Sequence, residues 1–282
     1  MRTHVLYARE PRWREVAERA EELIGSPGFT PVKSEGRTLA GVLRLPDGDA
    51  VFIKRSARTS WLHAVLMPIV GSPALRALKG AALLDAAGIP HPSPLAAAET
   101  VGRGTGHVSY LVSEALLDGD TLSRFALGPG QIKGRDARRR RRILDDVARQ
   151  VRRFHDARLY TRDLQETNVM VADDQGQGFR VWFLDLEDFR RLRRVGWQQR
   201  ARNLIHLDRS IGRFLCRAAR LAFLYAYLGG KPERADARRI VRELLVLRAQ
   251  MERRHVRRAG GSTLATTHPP RTEASGVDSV RG

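Results

Sequence analysis

Apolar positions along this chain change their rhythm twice. Between residues 30 and 55 they come as short runs broken by turn signals. Gly41-Val42-Leu43-Arg44-Leu45 and Val51-Phe52-Ile53-Lys54 flank Pro46-Asp47-Gly48-Asp49, which predicts an antiparallel hairpin. Residues 61–70 are apolar but few; they predict a short packed helix, with contact at a membrane interface the lesser option. Ser72-Pro73 is a helix start with proline at the first helical position. Leu75, Leu78 and Ala82 then recur at helical spacing, and Gly88 and Pro90 end the segment. Residues 108–114 read as a strand, and Gly119-Asp120-Thr121 opens a further segment.

Past residue 138 helical periodicity takes over. Five consecutive arginines, 138–142, run into an apolar stripe of Ile143, Leu144, Val147, Val151 and Phe154. Two strands follow, at 168–171 and 180–184, joined by a turn at Asp173-Asp174-Gln175-Gly176. One helical stretch then carries Leu204, Leu207, Ile211, Phe214 and Leu221, and a second carries Ile240, Leu244, Leu247 and Met251. From Gly260 onward large apolar residues give way to Ser, Thr, Pro and Gly, a composition expected to be disordered. The plan is α+β: a small antiparallel-sheet lobe over 1–115, a larger helical lobe over 116–259, and a tail over 260–282.

Composition narrows the classes. The chain has 282 residues, 42% hydrophobic and 29% charged, which is enough to bury a core. Its one cysteine, Cys216, excludes a disulfide scaffold and a cysteine metal cluster, and suits a reducing compartment. No apolar run reaches the ~18–20 residues of a membrane span. Residues 1–22 mix Arg and Glu without an apolar stretch, so no secretory signal is expected. The net charge is +19, and its distribution is uneven. Residues 1–131 hold 15 basic and 13 acidic side chains; residues 132–282 hold 35 and 18. The excess therefore lies in the second half. It suits a phosphate-rich partner: an anionic lipid surface, a phosphorylated glycan or nucleic acid. Nucleic acid ranks last, because aromatics are 6% and no recognition motif is present.

The chemistry-bearing segment is Leu159-Tyr160-Thr161-Arg162-Asp163-Leu164-Gln165-Glu166-Thr167-Asn168-Val169-Met170-Val171, followed by Phe183-Leu184-Asp185. Phosphoryl transfer from ATP needs a carboxylate to accept the acceptor's proton. It also needs an amide oxygen and a second carboxylate to hold Mg²⁺ against the phosphates. A loop followed by a tight hairpin brings these three together. Taken singly, Lys54 reads more often as a solvated strand-end lysine, and Asp163, Asn168 and Asp185 as turn or cap residues. Their joint order and spacing favour phosphotransfer. His155, beside Asp156 at a helix end, reads as structural.

These motifs resemble the protein-kinase-like superfamily. Within it they are most similar to the lipopolysaccharide core kinases, the Kdo/heptose kinase family that includes InaA-type proteins. The resemblance covers roughly residues 35–230. It rests on Val51-Phe52-Ile53-Lys54, Ala87-Gly88-Ile89-Pro90 with Pro92, Tyr110-Leu111-Val112-Ser113-Glu114, the 163–168 loop, Phe183-Leu184-Asp185-Leu186 and Arg202-Asn203-Leu204. It implies a bilobal kinase fold in which Lys54 holds the α- and β-phosphates. Asp163 is then the catalytic base, and Asn168 and Asp185 bind Mg²⁺. The backbone of Glu114, Ala115 and Leu116 is the hinge that meets adenine. The implied activity is ATP-dependent transfer to a hydroxyl of a lipopolysaccharide core sugar, Kdo or heptose. The implied place is the cytoplasm, peripheral to the inner face of the membrane. The alternatives are a nucleotide-binding or anionic-surface-binding pseudokinase, and a small-molecule or protein kinase on the same fold.

The departures are specific. Thr161 stands where protein kinases carry His, and Leu186-Glu187-Asp188 replaces Phe-Gly after Asp185. Glu187 is therefore a candidate second metal contact. Only Gly36 and Gly41 stand for a glycine-rich phosphate loop. The helix after Ser72 offers Arg76, Lys79 and Asp85 but no Glu to pair with Lys54, so Glu99 is the candidate substitute.

Overall fold

The computed structural model describes residues 2–58, 71–101, 107–122, 124, 137–174 and 178–263. The helix expected at 61–70, the Gln175-Gly176 half of the turn and residues 264–282 lie outside them. The chain forms two compact units, Met1–Glu233 and Arg234–Gly282.

The first unit opens with β1 (Arg2–Ala8), α1 (Pro11–Glu18) and α2 (Ala20–Ile24). Next come β2 (Phe29–Glu35), β3 (Thr38–Arg44), β4 (Ala50–Arg58), α3 (Pro73–Ala86), β5 (Pro94–Val101) and β6 (His107–Glu114). The six strands make one antiparallel sheet, ordered β1-β5-β6-β4-β3-β2. The expected hairpin is β3–β4, with Leu43 opposite Val51 and Ala40 opposite Lys54. Its turn closes through Leu45 N–H to Asp49 O at 2.8 Å.

Successive side chains on a strand face opposite ways. Val51 and Ile53 of β4 point into a core with Trp13 and Ala17 of α1, Leu43, Leu95, Tyr110 and Val112. Lys54 is thereby turned to the other face. Ser72 caps α3, accepting the Leu75 N–H at 3.1 Å. Its buried face is Ala74, Ala77, Gly80, Ala81 and Leu84. This corrects the stripe expected from the periodicity: Leu75 and Leu78 are only half-buried and Ala82 is exposed. Small residues win because α3 packs directly on the backbone of the turn at 186–188.

The helical part contains β7 (Asp120–Thr121), α4 (Ala137–Asp156), β8 (Leu159–Tyr160), β9 (Val169–Asp173), β10 (Phe179–Phe183) and β11 (Arg190–Arg191). Short 3₁₀ turns lie at Glu166–Asn168 and Leu186–Asp188. Then follow α5 (Trp197–Ile211) and α6 (Arg217–Leu228). All five residues of the expected α4 stripe are buried, and Phe154 meets Phe183 and Phe189 edge-on at 5.2 and 5.8 Å. The single helix expected through Leu221 is two. A 3₁₀ turn at Gly212–Phe214 ends α5, the extended backbone of Cys216 starts α6, and Leu221 is exposed.

The second unit begins with α7 (Arg234–Thr263), which carries Ile240, Leu244, Leu247 and Met251 half-buried on one stripe. The helix continues four residues into the stretch expected to be a disordered tail.

Candidate active site

The 163–168 loop sits between β8 and β9, so strand pairing on either side holds both of its ends. Asp163 is fixed by its neighbours. Its carboxylate accepts the Asn168 Nδ2–H at 3.1 Å on Oδ2 and the Gln165 amide on Oδ1. Asn168 Nδ2 also donates to the Asp163 backbone oxygen at 3.1 Å. The Asn168 amide nitrogen is thus committed to Asp163, and the oxygen is the atom this side chain offers outward. The Leu184 N–H donates to Asn168 O at 3.0 Å, which ties the end of β10 to the loop. Asp185 follows immediately.

Lys54 crosses from the sheet to this point. Its Nζ lies 3.1 Å from Asp185 Oδ1 and 2.8 Å from Glu187 Oε1. Burial disfavours the ammonium, but Asp185 and then Glu187 outweigh it and hold the amine above the ordinary lysine pKa. The other oxygen of Glu187 receives Arg76 Nη2 of α3 at 3.0 Å. Glu187 is therefore a partner of Lys54, with both of its oxygens engaged by cations. Glu99 is not that partner: it lies 3.1 Å from His107 Nε2. Protein kinases take the lysine's acid from the helix; here the helix supplies a cation and the loop supplies the acid. The signal was present in the sequence as Glu187 two places beyond Asp185, but only the packing of α3 on that turn shows where it points.

Negative charge concentrates around the loop. Burial raises the Asp188 carboxyl above the usual range, and Asp185, Glu187 and Asp163 add to the shift while Arg190 opposes it. Burial, and then Arg209, lower the His206 pKa, while Asp163 pulls it the other way. His206, which the sequence reading passed over, is thus within electrostatic reach of the loop.

The hinge candidates are placed less directly. Glu114 ends β6, three residues along from Leu111, which pairs with Lys54. Its N–H donates to Ser93 O at 3.0 Å, so that donor is used within the fold. Ala115 and Leu116 follow outside any strand, half-buried. Gly36 sits in the β2–β3 turn at φ +55°. Gly41 lies mid-strand, where a Cβ would strike the Phe29 ring, so its place in the chain is explained by packing.

Beneath the loop runs a buried polar chain. Asn203 Nδ2 donates to Thr161 O at 2.8 Å, and His155 Nε2 and Asn203 Oδ1 are 2.9 Å apart. His155 Nδ1 meets Tyr227 OH at 2.9 Å, and Arg200 Nη1 donates to that hydroxyl at 3.4 Å. The directions are consistent with a neutral imidazole carrying its proton on Nε2. His155 and Asn203 thus support the backbone at Thr161, a supporting part that histidine plays in protein kinases from Thr161's own position.

Burial depresses the His155 pKa to about 4. In the unfolded chain the ring titrates near ~6.5. Between those values the unfolded chain binds the extra proton, so this contribution is complete above pH ~6.5 and is lost as pH falls toward 4. Denaturant titrations at pH 7.5 and 4.5 should differ by roughly 3 kcal/mol more in the wild type than in His155→Gln. Equal pH dependence in the two proteins would contradict this assignment.

The comparisons agree with this geometry. The family model "Lipopolysaccharide kinase (Kdo/WaaP) family" matches residues 72–227, more than half of the chain. The match runs from the cap of α3 to the end of α6 and includes Asp163, Asn168 and Asp185. A search of curated proteins found no match. A solved structure titled "WaaP in complex with acyl carrier protein" is similar with a TM-score of 0.61 at 23% identity, over 90% of this chain and 98% of that one. At that identity the likeness carries the fold, a kinase-like α+β architecture. The loop chemistry and the family match together lead to one conclusion: the chain belongs to the lipopolysaccharide kinase (Kdo/WaaP) family and is an ATP-dependent kinase.

Proposed function

We propose that this kinase transfers the γ-phosphoryl group of ATP to a hydroxyl of a lipopolysaccharide core sugar, Kdo or heptose. The observation that carries the reading is the approach of Lys54 to Asp185 at 3.1 Å, with Asp163 and Asn168 bonded to each other on the adjoining loop. Asp163 orients the acceptor hydroxyl and takes its proton as the oxygen–phosphorus bond forms. Lys54 neutralises charge on the α- and β-phosphates, and positioning supplies most of the acceleration. Ala115 and Leu116 offer the hinge backbone for adenine, with Glu114 contributing its carbonyl side. On this reading residues 1–115 act as the nucleotide lobe and 116–259 as the acceptor lobe.

The site's donors suit Mg²⁺. Among the described residues no group of three or more His, Cys, Asp or Glu makes a cation cage. A magnesium ion needs less, because it keeps waters and substrate phosphates as ligands. Asp185 and the outward oxygen of Asn168 would hold it. When bound, the ion would neutralise phosphate charge. The inert alternative drew on the missing acid for Lys54, and Glu187 removes that support.

The acceptor's anionic character suits the basic half of the chain, so we assign the work to the cytoplasmic membrane's inner face. No described helix is long and apolar enough to cross a membrane. Arg190, Arg191, Arg193 and Arg194 are exposed beside the site loop, and Arg138, Arg140, Arg141 and Arg142 are exposed on α4. Arg152 and Arg153 lie further along α4, where Arg152 is 3.4 Å from Asp156. Each basic group near an anionic surface is worth ~1 kcal/mol. Vesicles containing anionic lipid should sediment the protein, and salt should release it. Equal retention on neutral vesicles would oppose this part of the reading.

The decisive experiment is transfer of labelled phosphate from ATP to purified outer-membrane glycolipid, with Asp163→Asn in parallel. Labelling of Kdo or heptose that the variant loses is expected. Labelling of soluble sugar or protein without glycolipid would overturn the acceptor.

A further inference from the structure

We infer that Arg76 is a positioning residue of the phosphate site, acting through Glu187 to aim Lys54; this rests on the phosphotransfer reading above. Three contacts define the arrangement. Glu187 divides its carboxylate between two cations, Oε1 to Lys54 Nζ at 2.8 Å and Oε2 to Arg76 Nη2 at 3.0 Å. The guanidinium is held at its other prong, where Nη1 donates to Gly71 O at 3.0 Å. All three side chains are largely covered, at 26, 14 and 26% exposure for Lys54, Glu187 and Arg76, so the pairs are poorly screened.

The charge balance explains why the arginine matters. Lys54 touches two carboxylates, and one of them, Asp185, is the carboxylate assigned to the metal. Once Asp185 turns to a cation, Glu187 is the anion left to orient the ammonium. Glu187 is only two residues from Asp185, close enough to compete for the same ion. Arg76 occupies its second oxygen and keeps it on the lysine side. Arginine suits the task because its planar fork spans Gly71 O and Glu187 at once, whereas a lysine offers one point charge. The helix thus takes part in aiming the lysine with a cation, and the loop supplies the acid.

The test is a double-mutant cycle of Arg76→Met and Glu187→Gln, with Arg76→Lys added, read by the KM for ATP and by calorimetric ATP binding with Mg²⁺. Loss of one charged hydrogen bond should raise KM for ATP about 10- to 100-fold in Arg76→Met, with a smaller change in kcat. Arg76→Lys should recover part of that loss. The double variant should be no worse than Glu187→Gln alone, because Arg76 has nothing left to hold. Additive losses would overturn the proposal. So would an unchanged KM in Arg76→Met, or a loss that follows urea stability and is not relieved by lysine. Wild-type turnover separates the two levels of inference: additivity in an active enzyme defeats only the role of Arg76. A wild type that binds ATP without turnover defeats the phosphotransfer reading, and the cycle is still read by calorimetry. A wild type that does neither defeats both.

Discussion

Asp163→Asn is expected to lower kcat by ~10²–10⁴, the usual worth of a general base, with ATP affinity changed no more than a few-fold. The structure explains why the effect falls on turnover. The carboxylate of Asp163 is held by the amides of Gln165 and Asn168, whereas Lys54 pairs with Asp185 and Glu187. Both amides are neutral donors, and between them they fix the orientation of the carboxylate. The asparagine also puts an N–H₂ where one oxygen accepted an N–H, and loses a hydrogen bond worth about 1 kcal/mol. Asp163→Ala removes the base without that donor conflict, and the two variants should be equally slow. Rapid-quench kinetics with labelled ATP measures the step directly. Wild-type turnover in either variant would remove Asp163 from the role.

Gly80→Ala should have the second largest effect, and its sign is the informative part. In an exposed helix interior this change stabilises by about 1 kcal/mol, because alanine is the better helix former. At Gly80 the new Cβ would overlap Leu186 O and stand 2.9 Å from its carbonyl carbon. That neighbour is backbone, one residue after Asp185 and one before Glu187. The overlap is relieved only by moving α3 or the turn, so a net destabilisation of about 3 kcal/mol is expected. The same displacement moves Asp185 and Glu187 relative to Lys54. A misplacement of about 1 Å in a catalytic constellation costs ~10²-fold, so kcat/KM should fall by that order. Urea unfolding and steady-state kinetics on one preparation test both. A more stable, fully active Gly80→Ala would mean that α3 does not rest on this turn.

Much of this molecule could be read before folding was considered, because the signals were local. The β3–β4 hairpin follows from its turn residues and alternating strands. The cap of α3 follows from Ser72-Pro73, and the buried face of α4 from its periodicity. The order of Asp163 in the loop, Asn168 at its end and Asp185 just past the hairpin was legible for the same reason: a few bonded residues bring the loop and the hairpin's far end together.

What could not be read depends on residues meeting from distant parts of the chain. The sequence by itself determined which groups the kinase carries, their order along the chain and the excess charge of the second half. Tertiary structure alone decided that Glu187 rather than Glu99 faces Lys54, that α3 buries its alanines and Gly80 rather than Leu75 and Leu78, and that His155 and Asn203 support Thr161. The physical reason is that periodicity and turn chemistry act over a few residues. The partner of a buried charge is chosen by whichever backbones can approach closely, and here a glycine that admits a carbonyl oxygen makes that choice.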